Sequence, residues 1–174
     1  MASNIEIKAH ARNFDEIRRR AETLSDTPVQ VIPQEDIFFN TPQGRLKLRI
    51  LDSERGQLIY YVRPDREGPK RSDYHIALTS DPANLRRVLE LAYGIRGTVR
   101  KTRYLYLVGQ TRVHLDDVAG LGQFMELEVV LREGQSEAEG QGIAEGLMAR
   151  LGVERTDLVE GAYMDLLDSS TNPH

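Results

Sequence analysis

Apolar and polar residues alternate along most of the chain. Ile5–Ala11 puts Ile5, Ile7 and Ala9 on one side and Glu6, Lys8 and His10 on the other, the period of a strand with one face on a core. The same period recurs in Asp36–Asn40, Arg45–Leu51, Gln57–Arg63, Tyr74–Leu78, Val99–Val108, Thr111–Asp116 and Phe124–Leu131. Turn-forming segments separate these runs: Thr41-Pro42-Gln43-Gly44, Asp52 to Gly56, Gly109-Gln110 and Gly120-Leu121-Gly122. Strand candidates joined at hairpin spacing predict a mostly antiparallel sheet.

Four stretches switch to the helical period. Asn13 or Asp15 caps a helix that carries Phe14, Ile17, Ala21 and Leu24 on one stripe. Asp81-Pro82 opens a second, through Leu91, with Gly94 past its end. Ser136 starts a third, with Ile143, Leu147 and Leu151 inward and Gly152 as its stop. Thr156 is read as the cap of a fourth, which holds Leu158, Val159, Ala162, Leu166 and Leu167. Pro64–Arg71 is a long charged loop, read as an ordinary solvated loop with a mobile lid as the alternative. No repeat or linker divides the chain, so residues 1–168 are read as one α+β domain and 169–174 as a flexible tail.

Composition narrows the class. A chain of 174 residues with 40% hydrophobic residues buries roughly 70% of its unfolded surface and needs no staples. The absence of Cys excludes disulfides, thiolate metal sites and a cysteine nucleophile. No run approaches ~18 apolar residues, and the first thirteen residues lack a signal-peptide layout, so a cytoplasmic protein is expected. A net charge of −4 and a pI near 5.6 speak against nucleic acid or a membrane as partner. A homodimer is left open.

The charges are informative by placement. Residues two apart on a strand share a face, so Glu6 and Lys8, then Arg45, Lys47 and Arg49, then Lys101 and Arg103, then Arg112, His114 and Asp116, then Glu126 and Glu128 form same-face sets. The ordinary account is the wet face of a sheet packed on helices. Yet Arg45-Lys47-Arg49 is purely basic and Glu126-Glu128 purely acidic, and like charges on one face repel unless something of opposite sign intervenes. Strands curled into a barrel with these faces inward would enclose a basic wall and an acidic patch. That pairing suits a polyphosphate bridged to carboxylates by divalent cations, and eight strands leave room for one small ligand.

At these residues the sequence resembles the CYTH superfamily, whose triphosphate-tunnel fold is shared by class IV adenylyl cyclases, thiamine triphosphatases and tripolyphosphatases. The family opens with Glu-x-Glu-x-Lys; Asn4-Ile5-Glu6-Ile7-Lys8 matches its second Glu and its Lys and carries Asn at the first. Gln34 to Phe39, Gly44 to Arg49, Lys101-Thr102-Arg103, His114-Leu115-Asp116 and Glu126-Leu127-Glu128 follow in family order, and Gly161-Ala162-Tyr163 resembles the last helix. The segment Gly109 to Glu128 is similar to the cyclase branch.

The resemblance implies a closed or nearly closed eight-stranded antiparallel barrel with helices outside. It implies Mg²⁺ or Mn²⁺ held by Glu6, Glu126, Glu128 and Asp116, and a triphosphate gripped by Lys8, Arg45, Lys47, Arg49, Arg63, Lys101 and Arg103, with Glu6, Lys8 and Glu126 as the catalytic set. The expected substrate is ATP or another small triphosphate. The first expectation is conversion of ATP to 3′,5′-cyclic AMP and pyrophosphate; the second, hydrolysis of a small triphosphate; the third, a non-catalytic polyphosphate-binding module, favoured by Asn4. Phe38 replaces a frequent Tyr. His10 and His114 are expected on charged faces, hydrogen-bonded rather than acting as bases, and Tyr163 to pack the last helix on the barrel.

Overall fold

A computed structural model describes residues 2–62, 68–160, 163 and 165–167. The alternating runs become β1 (Ala2–His10), β2 (Gln30–Phe39), β3 (Arg45–Asp52), β4 (Arg55–Val62), β5 (Lys70–Thr79), β6 (Ile95–Val108), β7 (Thr111–Val118) and β8 (Gly122–Val130). They close into one barrel in the order β1-β5-β4-β3-β2-β6-β7-β8, antiparallel at every pairing described. In a ring of eight, strands four places apart face each other. β3 therefore lies opposite β8, and β5 opposite β6.

The apolar faces point outward to the helices. α1 (Phe14–Leu24) and α3 (Glu137–Leu151) cover Ile5, Ile7, Val113, Leu115 and Leu127, while α2 (Pro82–Tyr93) covers Ile37, Phe39 and Leu48. The capping chemistry fits the sequence reading. Asn13, not Asp15, caps α1; Asp81 caps α2 ahead of Pro82; Ser136 and Glu139 cap each other's backbone at α3. A small cluster of Phe38, Val99, Val118, Phe124 and Tyr163 sits under the last part of the described chain. Among the described residues no helix is long and apolar enough to cross a membrane.

Several boundaries differ from expectation: β6 starts at Ile95, not Val99, and β1 at Ala2, not Ile5. β2 starts at Gln30, not Asp36, because Gln34 and Asp36 point into a polar lumen and Pro33 breaks the apolar rhythm, though it keeps its place opposite Thr102. β5 starts at Lys70, not Tyr74; Lys70 and Ser72 are buried against β1 although polar. Thr156 does not cap a helix. It lies in a 3₁₀ turn, Arg155–Asp157, after which Leu158 bridges to Ala9 and the Val159 N–H donates to the Lys8 carbonyl. Helical backbone is seen at Tyr163 and 165–167. Pairing with the end of β1 takes the backbone groups that a helix from Thr156 would need. The tail 169–174 and residues 63–67 of the charged loop, including Arg63, lie outside the described residues, as do Gly161 and Ala162.

Candidate active site

Because the strands' apolar faces are used up on the helices, their other faces must line the lumen. The result is a tunnel of about 490 Å³. Asn4, Glu6 and Lys8 enter it from β1, Lys47 and Arg49 from β3, Lys101 and Arg103 from β6, and Glu126 and Glu128 from β8. With β3 opposite β8, the basic pair faces the acidic pair across the lumen.

Two buried carboxylates organise the cations. Asp36, 1% exposed, accepts from Arg49 Nε and Nη2, both at 2.8 Å, from Lys47 Nζ at 3.2 Å and from Lys101 Nζ at 3.5 Å. Burial opposes its charge, but Arg49, Lys47 and Lys101 together hold its carboxyl well below the usual range. Asp116, fully buried, accepts Arg103 Nε and Nη2 at 2.8 Å each and the Tyr163 hydroxyl at 2.8 Å. Arg103 Nη2 also reaches Glu126 at 3.6 Å. Sequence reasoning gave Asp36 no role, although its alternation with Gln34 and Phe38 placed it on the face that proves to be the lumen.

The acidic patch is crowded. Donor atoms of His114, Glu126 and Glu128 lie within 4.8 Å of one another. Glu6 is the register partner of Glu128, and Lys8 that of Glu126. Burial, Glu126 and Glu6 push the Glu128 carboxyl up, whereas Glu126 is held low, against burial, by Lys8 and Arg103. Burial and the Arg103 charge hold His114 well below its ordinary value, so the imidazole is neutral and its 3.9 Å approach to Glu128 is not an ion pair. His114 Nδ1 is buried without a hydrogen-bond partner among the described residues, against the expectation of a bonded histidine. A neutral, unpartnered nitrogen beside carboxylates that repel each other is a donor set that fits a divalent cation.

Other residues fall elsewhere. Arg45 is turned out of the tunnel: its guanidinium pairs with Asp165 (Nη2 to Oδ2, 2.8 Å), which Arg96 also holds. Asp116 is not among the His114, Glu126 and Glu128 donors that lie within 4.8 Å of one another, and Arg103 Nη2 stands between it and Glu126, at 2.8 and 3.6 Å. Tyr163 does more than pack a helix, since Lys8 Nζ and Lys101 Nζ sit 4.0 and 4.9 Å from its ring centre. Phe38 lies beside Lys47, 5.6 Å from its Nζ. His10 is exposed next to Phe124. Asn4 is buried with its Oδ1 unpartnered among the described residues.

Comparison with known proteins decides the family, since the CYTH domain profile matches residues 2–163. The chain belongs to the CYTH family. A CYTH-fold structure from Pyrococcus horikoshii is 25% identical with a TM-score of 0.83, over 94% of this chain and 99% of its own. A Methanocaldococcus jannaschii protein named "Putative adenylate cyclase" is 22% identical over 170 residues, 93% of this chain and 97% of its own length. A Hippeastrum protein, described as a candidate adenylyl cyclase with a dominant triphosphatase activity, shares the fold at 17% identity and a TM-score of 0.69, covering 96% of each chain. CYTH tunnels bind triphosphates and in general depend on a divalent metal.

Proposed function

We propose that this CYTH protein is a divalent-metal-dependent enzyme that converts ATP to 3′,5′-cyclic AMP and pyrophosphate. The observation that carries the metal-dependent triphosphate chemistry is the opposition, within one closed tunnel, of Lys47 and Arg49 on β3 to Glu126 and Glu128 on β8, and the similarity of the segment Gly109 to Glu128 to the cyclase branch favours the cyclase reaction. Lys8, Lys47, Arg49, Lys101 and Arg103 grip the triphosphate. Glu6, Glu126 and Glu128 would hold Mg²⁺ or Mn²⁺, with His114 Nδ1 as a neighbouring neutral donor. Bound there, the cation supplies charge neutralisation at phosphate oxygens.

The ribose 3′-oxygen bonds to the α-phosphorus and the α–β bridging P–O bond breaks. The departing oxygen keeps the electron pair, and the hydroxyl proton passes to solvent through the carboxylate cluster. The chain's share is positioning and charge, which dominate phosphoryl chemistry. Lys47, Arg49 and Lys101 stabilise the charge that gathers on pyrophosphate. Asp116, saturated by Arg103 and Tyr163, is assigned to orienting Arg103 rather than to the metal, and Arg45 to holding the last helical residues through Asp165.

Hydrolysis of the terminal phosphoryl group is the second reading, supported by the activity described for the Hippeastrum protein. Purified protein is incubated with ATP, and separately with tripolyphosphate, in Mg²⁺ or Mn²⁺, and the products are separated by anion exchange. Cyclic AMP with pyrophosphate, lost on chelation, is the expected result. Orthophosphate from tripolyphosphate with ATP untouched replaces it with the second reading, and binding without turnover makes the protein a module.

A further inference from the structure

One exposed stripe of α3 consists of Ala138, Gly142, Glu145, Gly146 and Ala149, on the side of the helix turned away from the barrel. Glycine destabilises a helix interior, and a solvated face has no need of it. Gly140 has its reason within the chain, because a Cβ there would come within 2.6 Å of Ile5 and Leu131. A Cβ on Gly142 or Gly146 would meet nothing within 4 Å. These two glycines leave helix backbone bare toward the outside.

Beside the stripe runs a groove of about 370 Å³ between Gly142, Gly146 and the β6–β7 turn, with Arg132 and Arg150 on its walls. Neither guanidinium has a carboxylate partner among the described residues. Thr111 lines the same groove; it is 1% exposed, and its buried Oγ1 has no hydrogen-bond partner among the described residues. Two unpaired cations and a spare hydroxyl donor in one groove form a receptor for a carboxylate.

The stripe itself carries that carboxylate. Glu145 is its one long side chain, is exposed, and makes no ion pair among the described residues. Successive helical residues are roughly 100° apart, so Glu145 and Gly146 stand on opposite edges of the stripe, and the groove lies on the Gly146 edge. A twofold axis along the helix direction sets the Glu145 edge of each copy against the groove edge of the other. That is the reciprocal contact an isologous pair requires.

We propose that α3 is the contact surface for a second copy of this chain. Two α3 helices lie side by side in the same direction, their bare backbones together at Gly142 and Gly146. Glu145 of each copy enters the groove of the other to meet Arg132, Arg150 and the Thr111 hydroxyl.

Sedimentation velocity of the full chain at about 50 µM tests this. The expected mass is twice 19.7 kDa. Gly146→Gln fills space that is empty in the single chain, and Glu145→Lys changes an exposed side chain, so both keep the circular dichroism of the wild type. Each is expected to weaken the dimer by about tenfold or more, the first by bulk and the second by setting like charges together. A wild type that stays at 19.7 kDa overturns the proposal, even where another protein binds this face. Either single variant dimerising as tightly as the wild type overturns it too, since the contact then lies elsewhere.

Discussion

Asp36 is the anion around which the basic wall is built. Removing one partner from a buried ion pair leaves uncompensated charge, at a cost of about 3 kcal/mol, and here three cations would be left. Asp36→Asn is expected to lose about 3 kcal/mol in urea unfolding at pH 7. The pH dependence follows from the depressed carboxyl: its stabilisation is present above the ordinary value of 3.8 and is lost as pH falls toward the folded value. The gap between wild type and variant should therefore close below about pH 4; a constant gap down to pH 3 would mean that charge is not its origin. Glu126→Gln probes the opposite wall. Glutamine keeps the shape and loses the charge, so metal-dependent turnover should fall by about 100-fold or more with the circular dichroism unchanged. Unchanged turnover removes Glu126 from the metal set.

At the scale of elements, α3 carries opposite predictions within one helix. A Cβ on Gly140 would come within 2.6 Å of both Ile5 Cγ1 and Leu131 Cδ2, whereas Gly142 and Gly146 face open space. Gly140→Ala should destabilise by about 1–2 kcal/mol, because overpacking against β1 exceeds the gain in helix propensity. Gly142→Ala and Gly146→Ala should each stabilise by about 0.5–1 kcal/mol. Thermal melts check the signs, at about 2–4 °C per kcal/mol for a chain of this size. Element existence was legible because the outward faces repeat with clean periods: Ile5, Ile7 and Ala9 on β1, and Leu46, Leu48 and Ile50 on β3. Element ends were not, wherever the inward face is polar. Gln34 and Asp36 have the polar alternation of a surface face although both are buried and line the tunnel, so the start of β2 is not legible there; Leu158 has the spacing of a helix stripe but spends its backbone on Ala9.

Only at the scale of the molecule do the separate charges become a site. Lys47 and Glu126 are 79 residues apart in sequence, and their opposition follows from ring order, which no local pattern encodes. The sequence contained the residue types and their faces; it did not contain the turn of Arg45 toward Asp165 or the saturation of Asp116 by Tyr163. A tunnel that concentrates cations away from water also strains their charge. Lys101 shows this most clearly: burial first, and then the Arg103 charge, bring its ammonium down to about 7. At pH 9 the empty tunnel therefore holds Lys101 largely neutral, and a polyanion placed beside it restores the charge. Binding of tripolyphosphate with Mg²⁺ at pH 9, where the ligand is fully ionised and the metal keeps the carboxylates unprotonated, should take up close to one proton. Calorimetry in two buffers of different ionisation enthalpy reads that uptake directly. Lys101→Arg, charged at every pH used, should still bind while the buffer dependence disappears. An uptake that survives in the variant would assign the proton to another group and remove Lys101 from the phosphate grip.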